Sequence, residues 1–580
     1  MKITVAKSAG FCMGVRRAVE LVLDASNKNP GPIYTYGPLI HNPQVLSLLE
    51  EKGISVLDEI PPQGSGTVLI RAHGVPPETR EQLKSTGFTV IDATCPHVIK
   101  VQTIIARHAK QGYASIIIGD RDHPEVVGLL GYAQGRGYVI GSLEEMEGLS
   151  KFDKAIVVVQ TTQNSLFFKE ICHWTKQNAP HYKIFNTICD ATEKRQAEVN
   201  QIASSVDSVI VVGGHNSGNT SRLVEIVRQA GRPVQHIETE DELDAAALAS
   251  ASSIGITAGA STPNWIIRKV YRALERMQYK RQQWLRRLLF DLQRTLLLTS
   301  IYVAIGAGGL CYACLKLQGV QFSLKSVLIA MLYVLSMHVF NNLTGGKADQ
   351  YNDPDRAIFY ERFRVPLGIL AFLSVAAGLL IAYAMGRLPF FILLTMSIAG
   401  FSYNLKLMPK GLRHGQYNRI RDIPGSKTVL IAVAWGMVTS IIPALSFTGS
   451  ISVSAVITFI WATCMVFVRT ALFDILDMQG DRIVGRETLP ILIGESRTIY
   501  FLKILLFFSL GTILGFSALG LITNFGIVLS LSSIFLYIVL LTYERQHMHP
   551  GVGLEFLVET HFVMAGLLTL SWSLLRFGEL

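Results

Sequence analysis

Three cysteines stand alone between a β-branched apolar run and a helix-forming segment. They are Cys12 in Phe11-Cys12-Met13-Gly14, Cys95 in Ala93-Thr94-Cys95-Pro96 and Cys189 in Thr187-Ile188-Cys189-Asp190. Their spacings of 83 and 94 residues give each third of the front half one such junction. A thiol at a helix N-terminus has its thiolate favoured by the helix dipole. Ligands in open parallel sheets bind beyond the carboxyl ends of the strands. The pattern predicts three thiolates converging on one centre. A zinc site of three cysteines and a histidine is the competing reading. Zinc knuckles usually bring ligands in close CxxC pairs, and residues 1–280 contain none.

The other strand–helix junctions carry groups suited to an anion. The first third offers Leu39-Ile40-His41-Asn42 and Arg71-Ala72-His73-Gly74. The second offers Gly119-Asp120-Arg121-Asp122-His123-Pro124-Glu125 and Gln160-Thr161-Thr162-Gln163, and the third Gly213–Asn219 and Ala258–Thr262. Hydroxyls, amides and glycines ahead of a helix make phosphate cradles. Any one of His41, His73 and His123 is equally readable as a satisfied core histidine, but their recurrence at junctions points to ligand contact. His215 sits in a glycine-rich turn, and His97 reads as a helix cap. Cys172, Cys464 and the Cys311/Cys314 pair inside an apolar run read as packing residues.

These junctions need strands that alternate with helices, which means an α/β fold with parallel sheets. Strands are expected at Thr4–Ala6, Val68–Arg71, Val90–Ala93, Ser115–Gly119, Ala155–Val159, Lys183–Thr187, Val209–Val212 and Ser253–Thr257. The expected architecture is three related α/β units, each with one cysteine junction and two polar ones.

The 580 residues are enough for two to four domains, and the composition splits. The front half mixes charged residues with short apolar runs. From about residue 295 onward, apolar stretches approach the roughly 20 residues that cross a bilayer. They include Leu296–Leu317, Val365–Met385, Thr428–Ala444, Ser454–Phe473, Tyr500–Leu519 and Phe556–Leu575, and window logic predicts about nine spans. The opening MKITVAKSAGF reads as a strand and not as a signal peptide, so the front half is expected in the cytoplasm. The loops at 342–364, 406–427 and 474–497 then carry several Lys and Arg on that same side, the loop at 543–549 carries only Arg545 and two histidines, and the alternate loops are short and nearly uncharged. The basic run Lys280–Arg294 reads as a juxtamembrane helix on anionic headgroups and not as a nucleic-acid contact.

The front half resembles the 4-hydroxy-3-methylbut-2-enyl diphosphate reductase family over about residues 1–278. Nine stretches carry the resemblance: AGFCMGVRRAVE, GPLIHNPQV, IRAHGVPPE, VIDATCPHV, GDRDHPEVVG, VVVQTTQN, NTICDATEKRQ, GGHNSGNTSRL and TAGASTPNW. It implies a [4Fe–4S] cluster on Cys12, Cys95 and Cys189, with its fourth iron left for substrate. It implies that His41, His73, His123, Thr161, Ser217, Asn219 and Ser261 line the substrate pocket, with Gly218 contributing only backbone. Glu125 is the implied proton donor. The implied reaction yields isopentenyl and dimethylallyl diphosphate, with electrons from ferredoxin or flavodoxin. A non-catalytic iron–sulfur sensor is the alternative from another class, and it would not need a diphosphate pocket or Glu125.

In the back half, Asp474, Asp477 and Asp481 follow i, i+3, i+7 spacing at the end of a span, on one helix face. Clustered carboxylates repel unless a cation joins them, and Mg²⁺ shared with a substrate diphosphate does so. The run FDILDMQGDRIVGRETLPILIG resembles the second motif of UbiA-type prenyltransferases, and the likeness extends over roughly 295–578. The first motif falls on FNNLTGGKADQYNDPDR, where Asn341 is kept but Asn342 and Gly345 replace acids. Asp349 remains, with Asp353 and Asp355 as substitutes. The resemblance implies Mg²⁺-assisted transfer of a prenyl group to an acceptor; a purely anchoring back half is the other reading. The expected organisation is a reductase domain at 1–278, a basic linker at 279–294 and an inner-membrane domain at 295–580.

Overall fold

The structure is a computed structural model that describes residues 2–28, 31–280, 284–344, 352–403, 425–484, 486–545, 548 and 550–577. The chain forms two compact units, Met1–Gln278 and Tyr279–Leu580.

The first unit is built on twelve short strands: β1 Lys2–Val5, β2 Ile33–Tyr36, β3 Ile54–Leu57, β4 Thr67–Ile70, β5 Thr89–Asp92, β6 Ala114–Ile118, β7 Gly137–Ile140, β8 Ala155–Val159, β9 Lys183–Ile184, β10 Ser208–Val212, β11 Val234–Ile237 and β12 Ser253–Ala258. They form three four-stranded sheets, ordered β3-β2-β4-β5, β7-β6-β8-β9 and β11-β10-β12-β1. Every described pairing is parallel. The central strands β4, β6, β8 and β10 are buried throughout, as unbroken Val/Ile runs demand when helices cover both faces.

The three sheets share one winding, but the third closes with the first strand of the chain. β1 pairs with β12, matching Lys2 to Ser253 and Val5 to Ile256. Cys12 therefore belongs to the third unit, and not to the first as the linear spacing implied. Each unit still has one cysteine junction and two polar junctions. The expected strand Lys183–Thr187 shortens to Lys183–Ile184, because the chain leaves the sheet to deliver Cys189. β2, β3, β7 and β11 are additional to the strands expected from sequence.

The second unit is helical. Among its described residues, seven helices are long and apolar enough to cross a membrane: Leu324–Thr344, Arg364–Met385, Ser426–Thr448, Val453–Ile483, Glu495–Ala518, Phe525–Glu544 and Val552–Leu575. A bent pair, Trp284–Leu298 and Ile301–Leu317, makes eight if counted as one span. The nine-span expectation included Arg387–Ser402, a 16-residue apolar helix below that length. The stretch Leu296–Leu317 was expected as one span, but the axis turns by 75° around Ser300, whose φ is +59°. Where Ile301–Leu317 meets the last helix, a Cβ on Gly566 would lie 2.7 Å from Gly309 Cα. Close backbone approach at small residues is how helices associate where lipid removes the hydrophobic drive.

Candidate functional site

The three units deliver their cysteines in the same way. The Cys95 amide donates to Ala72 O at 2.9 Å, that of Cys189 to Thr161 O at 3.0 Å and that of Cys12 to Ala260 O at 3.1 Å. Each acceptor lies two residues beyond the neighbouring strand, β4, β8 or β12. Each cysteine immediately precedes a helix: Met13–Lys28, Pro96–Ala109 or Asp190–Ser205. All three line one cavity of about 90 Å³. Contact within it is tight, since a Cβ on Gly14 would stand 2.5 Å from Cys95 Sγ.

Burial pushes the Cys95 thiol up, and the neighbouring Cys12 and Cys189 add to the effect; the amides of His97 and Val98 oppose it. Cys189 is pushed up by the same burial, against the amides of Ala191 and Thr192. Three thiols at helix N-termini, lining one cavity, are a donor set that a cationic iron centre would hold as thiolates. The residues present fit such a group.

The same cavity carries His41, His73, His123, Glu125, Thr161, Ser217, Gly218, Asn219 and Ser261. His41, His123 and Ser217 each sit five residues beyond the second strand of their sheet, β2, β6 or β10. The rings of His41 and His73 are 4.8 Å apart, those of His73 and His123 5.4 Å, and those of His41 and His123 5.8 Å. Burial lowers all three pKa values, His73 well below the usual range and His123 to about 4. His41 Nε2, His73 Nδ1 and Asn219 Nδ2 are buried without a protein partner among the described residues. Buried polar atoms left this way call for a ligand. Ser261 Oγ donates to His41 O at 3.0 Å.

Glu125 is 2 % exposed. Its Oε1 accepts from the Thr161 amide at 2.7 Å and its Oε2 from the Thr161 hydroxyl at 2.8 Å. Burial outweighs those bonds and pushes its carboxyl up to about 7. Such a carboxyl can hold and give up a proton near neutral pH, and the Glu125 amide donates to His123 Nδ1 at 3.2 Å.

Two contributors stand outside the implied site residues. Arg71 adds a positive charge next to His41, His73 and His123. Arg195 lines the cavity while donating to Ala258 O and Gly10 O. A strand-terminal arginine just before His73 was a visible signal for the first. Nothing local marks the second. His97 does line the cavity, but His215 lies in an exposed pair with Glu242.

The second unit has a separate cavity of about 170 Å³, lined by Asn341, Asn342, Asp353, Lys427, Asp477 and Glu559, among others. Asp474, Asp477 and Asp481 share the helix Val453–Ile483, but only Asp477 lines this cavity. Asp474 is fully buried; Lys427 Nζ lies 3.3 Å from its Oδ1, and Thr428 Oγ1 donates to its Oδ2. Asp481 accepts from Asn352 Nδ2 at 3.2 Å and faces Arg486 at 3.6 Å. Asp353 caps the helix Pro354–Arg362, and Asp355 pairs with Arg294. Asp349 and Gly345 lie outside the described residues. Asp353 and Asp477 line this cavity together with Glu487, Glu555 and Glu559, and Asp353 also pairs with Arg356, while Asp474 and Asp481 are not on its wall. An apolar chamber of about 310 Å³ shares His338, Asn341, Tyr403, Lys427 and Ile431 with this cavity.

A family model described as LytB protein matches residues 3–275, and one described as UbiA prenyltransferase family matches residues 301–551. The 4-hydroxy-3-methylbut-2-enyl diphosphate reductase of Geobacter sulfurreducens is 43% identical over 282 residues, covering 49% of this chain and 100% of that protein. Its counterpart in Aquifex aeolicus is 43% identical over 280 residues, covering 46% of this chain and 94% of that one. Among solved structures, the E-1-hydroxy-2-methyl-but-2-enyl-4-diphosphate reductase from Plasmodium falciparum is 31% identical, with a TM-score of 0.45 over 47% of this chain and 86% of its own. A UbiA homolog from Aeropyrum pernix K1 is 13% identical, with a TM-score of 0.37 over 46% of this chain and 97% of its own. The chain belongs, through residues 3–275, to the 4-hydroxy-3-methylbut-2-enyl diphosphate reductase (LytB) family, and it carries a UbiA prenyltransferase family domain at residues 301–551.

Proposed function

We propose that residues 1–278 reduce (E)-4-hydroxy-3-methylbut-2-enyl diphosphate to isopentenyl and dimethylallyl diphosphate, the last step of the non-mevalonate isoprenoid pathway. One observation carries the reading: cysteines from three sheets and the buried carboxyl of Glu125 line a single cavity. Cys12, Cys95 and Cys189 would hold a [4Fe–4S] cluster, which supplies electrons singly and a Lewis-acidic iron. The reaction breaks the allylic C–O bond, takes up two electrons and two protons, and releases water.

Glu125 gives a proton to the departing hydroxyl. Thr161 fixes the rotamer of that carboxyl through both of its oxygens. His41, His73 and His123 offer ring N–H groups to the diphosphate. Ser217, Asn219 and Ser261 surround it, and the Gly218 amide opens the helix Gly218–Gln229, whose N-terminus favours an anion. These contacts orient the reacting carbon and trade away its translational freedom before the chemistry. Ferredoxin or flavodoxin delivers the electrons.

The second unit, a multi-pass membrane domain, transfers a prenyl group from a diphosphate to an acceptor with Mg²⁺ at Asp353 and Asp477. Lys427 and Arg356 balance the diphosphate charge. The fusion raises the concentration of dimethylallyl diphosphate near the second site. The Lys- and Arg-bearing loops support an inner-membrane location with the reductase in the cytoplasm.

The test is an anaerobic iron and sulfide count with electron paramagnetic resonance, with and without substrate. About four irons per chain and a substrate-shifted signal are expected; an iron-free chain that still turns over would end the reading. A purified fusion that transfers dimethylallyl to no acceptor tested would count against the coupling of the two halves.

A further inference from the structure

We infer that Arg195 is a positioning residue for the cysteine centre: it locks the Cys12 loop to the helix that starts at Cys189 and sets a positive charge beside both thiolates. The inference rests on the iron–sulfur reading of the cavity.

The helix Asp190–Ser205 begins right after Cys189 and grips the loop that carries Cys12. Arg195 Nη2 donates to Gly10 O at 2.9 Å, two residues before Cys12, and Nη1 donates to Ala258 O at 2.6 Å, two residues before the carbonyl that receives the Cys12 amide. One turn further on, Glu198 accepts from the amides of Lys7 at 2.6 Å and Ser8 at 2.8 Å. The device recurs once around the pseudo-threefold. From the helix after Cys12, Arg17 Nη1 donates to Thr94 O at 3.0 Å, the carbonyl just before Cys95. The helix after Cys95 closes the ring differently, through Val101 and Ile105 buried among Ile156 and Val158. Two arginines thus pin two of the cysteine loops, each from the helix that follows another cysteine.

Of the two, Arg195 lines the cavity and is 3 % exposed. Its guanidinium donates to two neutral carbonyls, and the groups whose charge acts on it are Cys12, Glu198 and Cys189. A buried cation facing two thiolates favours whichever redox state carries more negative charge, which is the reduced one. Arg195 therefore raises the reduction potential of the centre, as well as fixing its geometry.

The experiment is a potentiometric titration, followed by electron paramagnetic resonance, on the anaerobically purified full chain in detergent. Iron and sulfide are counted for wild type, Arg195→Met, Arg195→Lys and Arg17→Met. A wild type without iron and sulfide would overturn the cluster reading itself, and this outcome is separate from the variants' results. With wild type loaded, the Met variant at 195 should titrate at a more negative potential. The Lys variant should stay near wild type, and Arg17→Met should lose iron faster without moving the potential. A Met variant that fails to load while the Lys variant loads also supports a role for the charge. An unshifted potential in loaded Arg195→Met would overturn it. So would a Lys variant that shifts, or fails to load, as far as the Met variant.

Discussion

Thr161 gives both of its donors to Glu125, the amide to Oε1 at 2.7 Å and the hydroxyl to Oε2 at 2.8 Å, so one residue fixes both oxygens of the buried carboxyl. The same residue's carbonyl receives the Cys189 amide at 3.0 Å. A single strand end thereby ties the proton donor to one of the cysteines.

This tie sets a pH profile. Glu125 must carry its proton to act as an acid, and its carboxyl titrates at about 7. Turnover should fall as pH rises through about 7, and Glu125→Gln should lose about 10²- to 10⁴-fold, the usual range for a general acid. Thr161 favours the charged form, so Thr161→Val removes one bond to it and should move the falling limb to higher pH. A limb moving to lower pH would contradict the arrangement. The folded chain also keeps, between pH 4.5 and about 7, a proton the unfolded chain has lost. Through this group stability falls as pH rises across that window, which denaturant titration of Glu125→Gln beside wild type would reveal.

The histidine trio makes a second prediction. Burial keeps His41, His73 and His123 neutral, with lowered pKa values. A bound diphosphate raises them again, because an anion favours the charged ring. Binding should therefore take up protons, and affinity should strengthen as pH falls from about 8 to 6. Calorimetry with inorganic pyrophosphate in two buffers of different ionisation enthalpy measures the uptake directly. Zero net uptake would mean that the rings stay neutral in the complex.

Much of this site was legible in the sequence, because lone cysteines and histidines at strand–helix junctions have few structural reasons to be there. The missed strands β3, β7 and β11 are edge strands with half-exposed patterns, which alternate too weakly to stand out. The return of β1 to the last sheet is a long-range pairing that no local window contains. The same is true of Arg195, whose two carbonyl partners lie 185 and 63 residues away. In the membrane half, hydropathy counted Leu296–Leu317 as one span, since a left-handed Ser300 has no hydropathy signature. Carboxylate spacing likewise put Asp474, Asp477 and Asp481 on one face but did not show that Lys427 and Asn352 already engage two of them.

Two glycines beside the cavity should respond oppositely to a side chain. At Gly14 a Cβ would come within 2.5 Å of Cys95 Sγ. Gly14→Ala should abolish iron retention and cost about 1–3 kcal/mol, the usual penalty for overpacking. At Gly218 the nearest atoms to a Cβ are Asp120 Oδ2 at 3.7 Å and His123 Cδ2 at 3.9 Å, ordinary contact distances. Gly218→Ser should fold normally and add a hydroxyl at the diphosphate end, lowering KM with kcat little changed. Steady-state kinetics and an iron count on both variants decide the matter. Equal behaviour of the two would refute the cavity's geometry.

The acidic residues of the membrane half separate a working transferase from an anchor, provided the right one is changed. Asp474 is a poor choice. It is fully buried, accepts from Thr428 Oγ1 and pairs with the partly exposed Lys427, so neutralising it disrupts both contacts. Asp474→Asn should therefore lower thermal stability whether or not the unit is catalytic. Asp477 is the member of the acidic trio that lines the polar cavity, so it is the one of the three to change. Asp477 is half-buried, so Asp477→Asn should cost less thermal stability than Asp474→Asn. It should also weaken Mg²⁺-dependent protection by geranyl or dimethylallyl diphosphate, read as a smaller rise in melting temperature on adding both ligands. If wild type shows no such rise, the second unit serves as an anchor. If wild type shows it and Asp477→Asn matches it in full, the metal is held by other residues than those on this helix face.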